Sequence, residues 1–184
     1  MLHILGHTPD HGFDEPLGLL SDCHRRIERF LGVMLRVAGD HAHGALPPDA
    51  AEAVTKARRY FAHAAPKHTA DEEESLFPRM RAAAAAKGRS CEVVERLEDD
   101  HERATPLHER VDALFDEWLR AGSLARERQA ELETLLGSLR DIYRAHIHTE
   151  DSEVFPLAGT LLSDQELAAV GSEMRARRGL SGPA

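Results

Sequence analysis

The chain has 184 residues, and its 23 Lys and Arg against 32 Asp and Glu give a net charge of −9 with histidine neutral. This acidic balance argues against nucleic acid or an anionic membrane as the main partner, because both require clustered basic residues. No apolar run reaches the roughly 18 residues of a membrane-spanning helix, and the N-terminus lacks the pattern of a signal peptide. Two cysteines cannot form a disulfide scaffold, so we expect a reducing, cytoplasmic environment. The twelve histidines are the feature that requires an explanation.

The residue composition and the helix start and stop signals predict an all-helical chain. Ala, Leu, Glu and Arg dominate, and no segment shows the alternation of β-branched residues that is typical of a strand. The predicted helices cover residues 14–39, 49–87, 90–121, 123–155 and 163–178. Because short connections make consecutive helices antiparallel neighbours, we expect an all-α, up-down-up-down four-helix bundle with a short C-terminal fifth helix. The corresponding division is an N-terminal tail (1–13), the bundle (14–160) and a C-terminal helix and tail (161–184).

Local signals mark some of the helix starts and interruptions. In a capping box, the side chain at the helix start and a glutamate three residues later bond each other's backbone. Two pairs have this spacing: Asp49 with Glu52, and Ser163 with Glu166. Pro66 and Pro106 fall inside predicted helices, where proline removes a backbone donor and crowds the preceding turn. We therefore expect a kink at each of these prolines.

A histidine interrupts the apolar row of every predicted long helix, and the second and fourth rows add a glutamate one turn later. In chain order these residues are His24, His68, Glu72, His101, His146 and Glu150. One core histidine is usually satisfied by a neighbour, but buried carboxylates without partners are costly. A shared metal site accounts for all six residues, because imidazole nitrogens and carboxylate oxygens are suitable ligands for iron, manganese or zinc.

The spacing within each half of the chain supports this hypothesis. His68 and Glu72 are four residues apart, as are His146 and Glu150, so both members of a pair lie on one helix face and can reach one metal centre.

The pattern is also repeated along the chain. His24 precedes His101 by 77 residues, and His68 precedes His146 by 78 residues. The sequence thus predicts two related helical hairpins that meet with approximate two-fold symmetry around a two-metal site.

The segments HTADEEESLFP (68–78) and HIHTEDSEVFP (146–156) resemble the two signature motifs of the hemerythrin-like, or HHE cation-binding, family. The lone histidines of that family's first and third helices are matched by His24 and His101, and the resemblance covers about residues 14–160. It implies a four-helix bundle with two non-haem iron ions (Fe2+/Fe3+) joined by an oxo or hydroxo bridge. By position, the implied ligands are four terminal histidines and two bridging glutamates: His24, His68, His101, His146, Glu72 and Glu150.

The sequence departs from the pattern of oxygen-carrying hemerythrins. Those proteins place a second histidine one turn after the third-helix histidine, where this chain has Thr105. They also use an aspartate five residues after the fourth-helix histidine; Asp151 has that spacing here, while Glu150 follows at four. The sequence more closely resembles the four-histidine, two-glutamate pattern of the family's iron-centre repair and nitric-oxide-reactive members. Whether Asp151 or His108 also binds a metal stays open, and we favour a supporting or core role for His108.

Several other residues have more than one interpretation. Tyr143, one turn before His146, either lines the site or packs as a core aromatic residue. Glu73 either belongs to the solvated face or accepts a hydrogen bond from a ligand. His63 and His148 lie off the apolar rows, so we expect them to face solvent.

The main hypothesis is a di-iron protein that binds or reacts with a small oxidant (O2, NO or peroxide) in sensing, detoxification or iron-centre repair. Two alternatives stay open: a non-enzymatic metal-binding module for iron storage or structural zinc, and a metal-free helical interaction module. A ferritin-like oxidase fits less well, because it places glutamate three residues before histidine. The sequence leaves undecided whether the chain is an enzyme, and it identifies no protein partner.

Overall fold

A computed structural model describes residues 11–42 and 44–180, and within these residues the chain forms helices and turns but no strand. The elements in chain order are α1 (Pro16–Asp40), α2 (Pro48–His63), α3 (Ala65–Ala70), the first π segment (Asp71–Leu76), α4 (Phe77–Ala86), α5 (Glu92–Ala121), α6 (Arg126–Thr149), the second π segment (Glu150–Val154), α7 (Phe155–Leu161) and α8 (Asp164–Arg177). They make four long helical rods and a shorter last helix, α8. The rods are α1, α2 to α4 with the first π segment, α5, and α6 to α7 with the second π segment. The predicted all-α bundle is thus confirmed.

The rods pack as neighbours in the bundle. Helix α5 packs against α6, and α1 packs against both α6 and α2. The last helix, α8, lies against α1 and the first π segment. None of the helices in the described part of the chain is long and apolar enough to cross a membrane.

One of the two predicted capping boxes is confirmed and the other is wrong. At the start of α8, the Ser163 side chain accepts from the backbone N–H of Glu166, and the Glu166 side chain accepts from the backbone of Ser163. At the start of α2, Pro47 occupies the N-cap position and no side chain caps the helix. Pro48, which follows it, is well suited to the first helical turn because its missing N–H would have had no partner there. The backbone geometry of proline replaces the predicted cap at Asp49.

The second rod is interrupted where proline was expected to disturb it. Helix α2 ends at His63, and α3 begins at Ala65 with Pro66 in its first turn. Pro106 behaves differently, since it lies inside α5, which is a single helix from Glu92 to Ala121.

Both π segments come directly before a Phe-Pro pair. Phe77 and Phe155 begin α4 and α7, with Pro78 and Pro156 in the first turn of each helix. Because proline lacks the N–H that continues the α-helical ladder, a wider turn before it accommodates one extra residue. This local irregularity lies at the glutamates that the sequence singled out.

Two apolar clusters fill the bundle on either side of a polar layer. Leu20 on α1 belongs to one cluster and Leu31 to the other, and His24 lies between them. Along α5, His101 has the same position between Leu97 and the cluster that contains Val111. Each fully buried leucine, valine or phenylalanine stabilises the fold by roughly 1.5–3 kcal/mol. The two clusters therefore hold the polar layer between rigid apolar packing.

Candidate metal centre

The six histidines and glutamates that the sequence singled out converge in this polar layer. Five are buried, and the sixth, His101, has a side chain only 11% exposed. Their possible ligand atoms form two groups, and within each group the atoms lie within 4.8 Å of one another. One group comprises His24, His68, Glu72 and Glu150. The other comprises Glu72, His101 and His146. The structure therefore brings all of the predicted site residues together.

Glu72 lies between histidines from both halves of the chain. Its Oε1 is 3.2 Å from Nε2 of His68 and 3.9 Å from Nε2 of His24. Its Oε2 is 3.5 Å from Nε2 of His101. The two oxygens thus face different histidines, as a carboxylate between two cations requires.

Glu150 has the corresponding place on the other side. Its Oε2 lies 3.0 Å from Nε2 of His24 and 3.1 Å from Nε2 of His146. All four histidines therefore turn Nε2 toward a glutamate, and Nδ1 is left for other partners.

The carboxylate oxygens of the centre lack hydrogen-bond partners. Imidazole nitrogens lie as near as 3.0 Å to these oxygens, but within the described residues none of the contacts has the geometry of a hydrogen bond, although all four oxygens are buried. A buried polar group without a partner costs about 1–3 kcal/mol, and more when it is charged. A cation between these oxygens and the imidazole nitrogens would satisfy both sets of atoms, and iron, manganese and zinc suit this set of donors. The residues present thus fit a metal centre.

A second layer of carboxylates holds two of the histidine rings. Nδ1 of His24 hydrogen-bonds Oδ1 of Asp151 at 3.1 Å, and the Ser21 hydroxyl donates to the same oxygen at 2.6 Å. Nδ1 of His101 hydrogen-bonds Oε1 of Glu73 at 2.8 Å. Such contacts fix the ring and its tautomer, and they make the other nitrogen a better ligand.

These two contacts cross between the halves of the chain. Glu73 follows Glu72 and supports the histidine of α5, whereas Asp151 follows Glu150 and supports the histidine of α1. The accepting role considered for Glu73 is confirmed. Asp151, the residue at the spacing used by oxygen carriers, lies outside both groups of clustered ligand atoms.

The other two histidines are held less firmly. Within the described residues, Nδ1 of His68 has no hydrogen-bond partner. Nδ1 of His146 faces Oδ2 of Asp100 at 3.7 Å, which is beyond hydrogen-bond distance. Asp100, which directly precedes His101, has no role in the predictions from the sequence.

The electrostatics of the centre show the need for a positive charge. Burial raises the pKa of Glu72 well above its ordinary value, and the neighbouring Glu150 raises it further. Burial lowers the pKa of His24, but its contacts with Asp151, Glu150 and Glu72 outweigh this and raise it to about 12. Burial also lowers the pKa of His68 well below its ordinary value. Without a metal, protons must compensate the two glutamates, so metal binding would displace protons.

A cavity of about 430 Å³ reaches the centre from one side. His101 lies on its wall, together with Thr105, His108 and Tyr143. Nε2 of His108 is 2.8 Å from the Tyr143 hydroxyl, and burial lowers the pKa of His108 to about 4. His108 is thus a neutral cavity residue outside the clustered ligand atoms. Tyr143 both lines the cavity and packs against an apolar cluster.

The first π segment is anchored by the C-terminal helix. The buried carboxylate of Asp71 pairs with Arg177 and, at 2.6 Å, with Arg178. Gly171 lets α8 pack closely against the backbone of Phe13, because a Cβ at this position would lie 1.8 Å from the Phe13 carbonyl oxygen. Because Asp71 directly precedes Glu72, α8 fixes the backbone that carries this glutamate.

The remaining histidines lie apart from the centre. His63 and His148 are exposed, as predicted. His11 bonds the buried Asp22 through its backbone N–H, at 2.9 Å, and its ring. His41 is half-buried at the end of α1, where its backbone N–H donates to the carbonyl of Val37. The histidines at positions 3, 7 and 43 lie outside the described residues.

Two features of the site are absent from the predictions. The π segments have one available signal, the Phe-Pro pair that follows each His-Glu motif. The contact of α8 with Asp71 also has a signal, because an acidic run at 71–74 and a basic run at 175–178 can pair. Neither signal specifies the geometry by itself.

Comparison with known proteins agrees with the geometry. The chain is 28% identical to an uncharacterized protein of Haemophilus influenzae over 170 residues, covering 90% of this chain and 91% of that protein. Residues 15–158 match the hemerythrin HHE cation-binding domain, and this range contains every clustered histidine and glutamate. The chain belongs to the hemerythrin HHE cation-binding domain family.

Proposed function

We propose that this protein is a non-haem di-iron protein whose buried centre binds or reacts with a small oxidant, namely O2, NO or peroxide. One observation carries the proposal: four buried or nearly buried histidines surround two glutamates whose oxygens have no hydrogen-bond partner among the described residues. A packed apolar core would not retain these groups without a compensating cation.

The contacts suggest how the ligands divide. His24 and His68, whose ring centroids are 5.0 Å apart, would hold one iron. His101 and His146, with centroids 4.7 Å apart, would hold the other. Glu72 and Glu150 face histidines of both pairs and would lie between the irons, with an oxo or hydroxo bridge completing the proposed cofactor.

Iron in this ligand set supplies redox chemistry and leaves coordination positions for a small molecule. The protein contributes the rest. Asp151 and Glu73 hold the rings of His24 and His101 by their outer nitrogens, so the ligands are fixed before the oxidant arrives. The apolar clusters on both sides keep bulk water away and strengthen electrostatic interactions inside.

The cavity beside His101 provides access for the oxidant. Its wall includes the small side chains of Ala62, Ala65 and Ala104, which suit a small, weakly polar molecule. Burial raises the pKa of Tyr143 above its ordinary value, so its hydroxyl stays protonated beside His108. Tyr143 lines the cavity and would offer its hydroxyl group as a hydrogen-bond donor to an entering oxidant.

A cytoplasmic location completes the proposal. It rests on Cys23 and Cys91, which are both free thiols. Free thiols are typical of a reducing compartment.

The test combines metal analysis with optical spectroscopy. We expect about two iron ions per chain and a visible spectrum that changes on addition of azide, NO or peroxide. Replacing one histidine of each pair, in His68→Ala/His146→Ala, should abolish both the iron and the spectral change. The matched control is His63→Ala/His148→Ala, which removes two exposed histidines from the same helical regions and should behave like the parent protein.

Three outcomes separate the alternatives. Iron well below one ion per chain, with tight zinc in its place, would support a structural zinc module instead. Bound iron whose spectrum ignores all three small molecules would support storage. Equal metal content in the two double variants would remove these histidines from the metal site altogether.

A further inference from the structure

A basic cavity lies on the side of the bundle where α1, α2, α3 and the end of α8 meet. Its volume is about 580 Å³, and none of the acidic side chains among the described residues lines it. Six basic side chains do: Arg26, Lys56, Arg59, His63, Lys67 and Arg178. In a chain with a net charge of −9, this concentration of positive charge is unexpected for a surface without a ligand.

Part of this charge is compensated by neighbours outside the cavity. Lys56 pairs with Glu52 at 2.6 Å, and Arg178 pairs with the buried Asp71. Arg26 donates to the backbone carbonyl of residue 22 and contacts the sulfur of residue 23, and it forms no ion pair with a carboxylate of residues 11–42 or 44–180.

Two further cations, Arg59 and Lys67, have no ion pair within the described part of the chain. Their side chains project from α2 and α3 on the same cavity wall. Together with Arg26 they leave an excess of about three positive charges facing the cavity.

The shape of the cavity favours a small molecule over a flat macromolecular surface. Its volume falls within the range of roughly 300–1,000 Å³ that is typical of small-ligand sites. The floor is formed by Cys23, Phe30 and Tyr60. The rings of Phe30 and Tyr60 stack at 4.6 Å between centroids, and the Tyr60 hydroxyl donates to the backbone carbonyl of residue 23 at 3.4 Å. These contacts connect all three residues of the floor.

We propose that this cavity binds a small phosphate-bearing anion, with Arg26, Arg59 and Lys67 as its principal contacts. Guanidinium groups donate to two phosphate oxygens at once, and an ammonium group adds a compact charge. Several cations around one concave site suit a group with several charged oxygens better than they suit a single carboxylate.

The site is separate from the candidate metal centre, although the two are neighbours. Cys23 on the cavity floor precedes His24, and Lys67 on its wall precedes His68. None of the clustered ligand atoms lines the cavity. Anion binding is therefore expected whichever metal occupies the centre, so the two proposals can fail independently.

Isothermal titration calorimetry of the metal-loaded protein tests the assignment. Inorganic phosphate and adenosine monophosphate are titrated separately, to distinguish the free ion from a phosphate ester. We expect binding that weakens as NaCl is raised, because salt screens the attraction. Arg59→Glu/Lys67→Glu should weaken it at least about tenfold. The matched control, Arg120→Glu/Arg140→Glu, makes the same change of charge at exposed arginines on α5 and α6 and should retain the parent affinity.

Helix content and bound iron are measured for both double variants, since Lys67 lies beside a proposed ligand. Arg59→Gln provides a second readout that alters only one exposed side chain, and we expect it to weaken binding several-fold. The assignment is overturned if neither phosphate compound binds at millimolar concentration, or if Arg59→Gln binds as tightly as the parent. It is also overturned if binding survives in Arg59→Glu/Lys67→Glu and disappears when iron is removed, since the metal would then be the phosphate ligand.

Discussion

The two halves of the candidate centre follow one sequence pattern but have different surroundings. The first half is formed by His24, His68 and Glu72, and the second by His101, His146 and Glu150. His24, which has no glutamate one turn later on its own helix, is 1% exposed in the first half. Its counterpart in the second half, His101, has a side chain that is 11% exposed and lies on a cavity wall.

The π segments show the same contrast. Four of the six residues of the first π segment are buried, and α8 covers it. In the second π segment only Glu150 and Val154 are buried, and the three residues between them are exposed. The local motif therefore places the ligands, while elements outside the repeat determine which half is enclosed and which borders a cavity.

We expect the largest effect from loss of the ion pairs between the end of α8 and Asp71, which should destabilise the enclosed half of the centre. Arg177→Ala/Arg178→Ala leaves the fully buried carboxylate of Asp71 without its cations. Removal of the partner of a buried charge costs about 3–5 kcal/mol. We expect the free energy of unfolding to fall by about 3 kcal/mol, since both arginines are partly exposed, as measured by urea denaturation of the apoprotein.

The control for this prediction is Arg120→Ala/Arg140→Ala, which breaks two exposed ion pairs. Such pairs contribute about 0–1 kcal/mol each. If the two double variants lose the same stability, the contact between α8 and the first π segment does not stabilise the enclosed half.

Neutralising the carboxylates of Asp151 and Glu73 should have a smaller effect, a loss of metal affinity that is similar in both halves. Asp151→Asn and Glu73→Gln each remove the charge that holds the outer nitrogen of a lone histidine. Loss of such a partner typically lowers metal affinity about 10- to 100-fold. We expect each variant to lose iron at a lower chelator concentration than the parent, as followed by the visible spectrum.

Glu153→Gln is the matched control, because it neutralises an exposed carboxylate in the same π segment as Asp151. It should retain iron like the parent. A large effect of Asp151→Asn with none of Glu73→Gln would show that the two halves are not supported equivalently.

The helical bundle and the cluster could be predicted from the sequence because both follow from periodicity. Helical spacing places His24 and Glu72 in apolar rows, and their burial requires a partner whatever the details of packing. The repeat of about 78 residues predicts that the second half brings equivalent groups. Glu73 and Asp151 have equivalent positions in the two repeats, each directly after a glutamate of the centre. Their equivalent contacts could therefore also be predicted from the repeat.

One feature that the sequence reasoning missed is local, and the others depend on tertiary packing. The predicted capping box at Asp49 failed because Pro47 and Pro48 fix the backbone before any side chain can cap it. The partnership of Asp71 with Arg177 joins residues 106 positions apart, and no local spacing specifies such a pair. The cavity beside His101 is likewise a product of how rods meet, since its walls come from three of them.

Blocking that cavity should have the smallest effect, confined to the rate at which the open half admits ligands. Thr105 is exposed at the cavity wall, and its hydroxyl donates to the carbonyl of His101 at 3.0 Å. In Thr105→Phe, we expect azide to associate with the iron-loaded protein about tenfold more slowly, with iron content unchanged. Stopped-flow absorption gives the rate.

Thr134→Phe is the matched control, because Thr134 is also exposed and donates to the carbonyl four residues earlier at 2.8 Å, but it lies outside the cavity. Equal rates in the two variants would mean that small molecules reach the iron by another route, and the contrast between an enclosed and an open half would then lose its functional meaning.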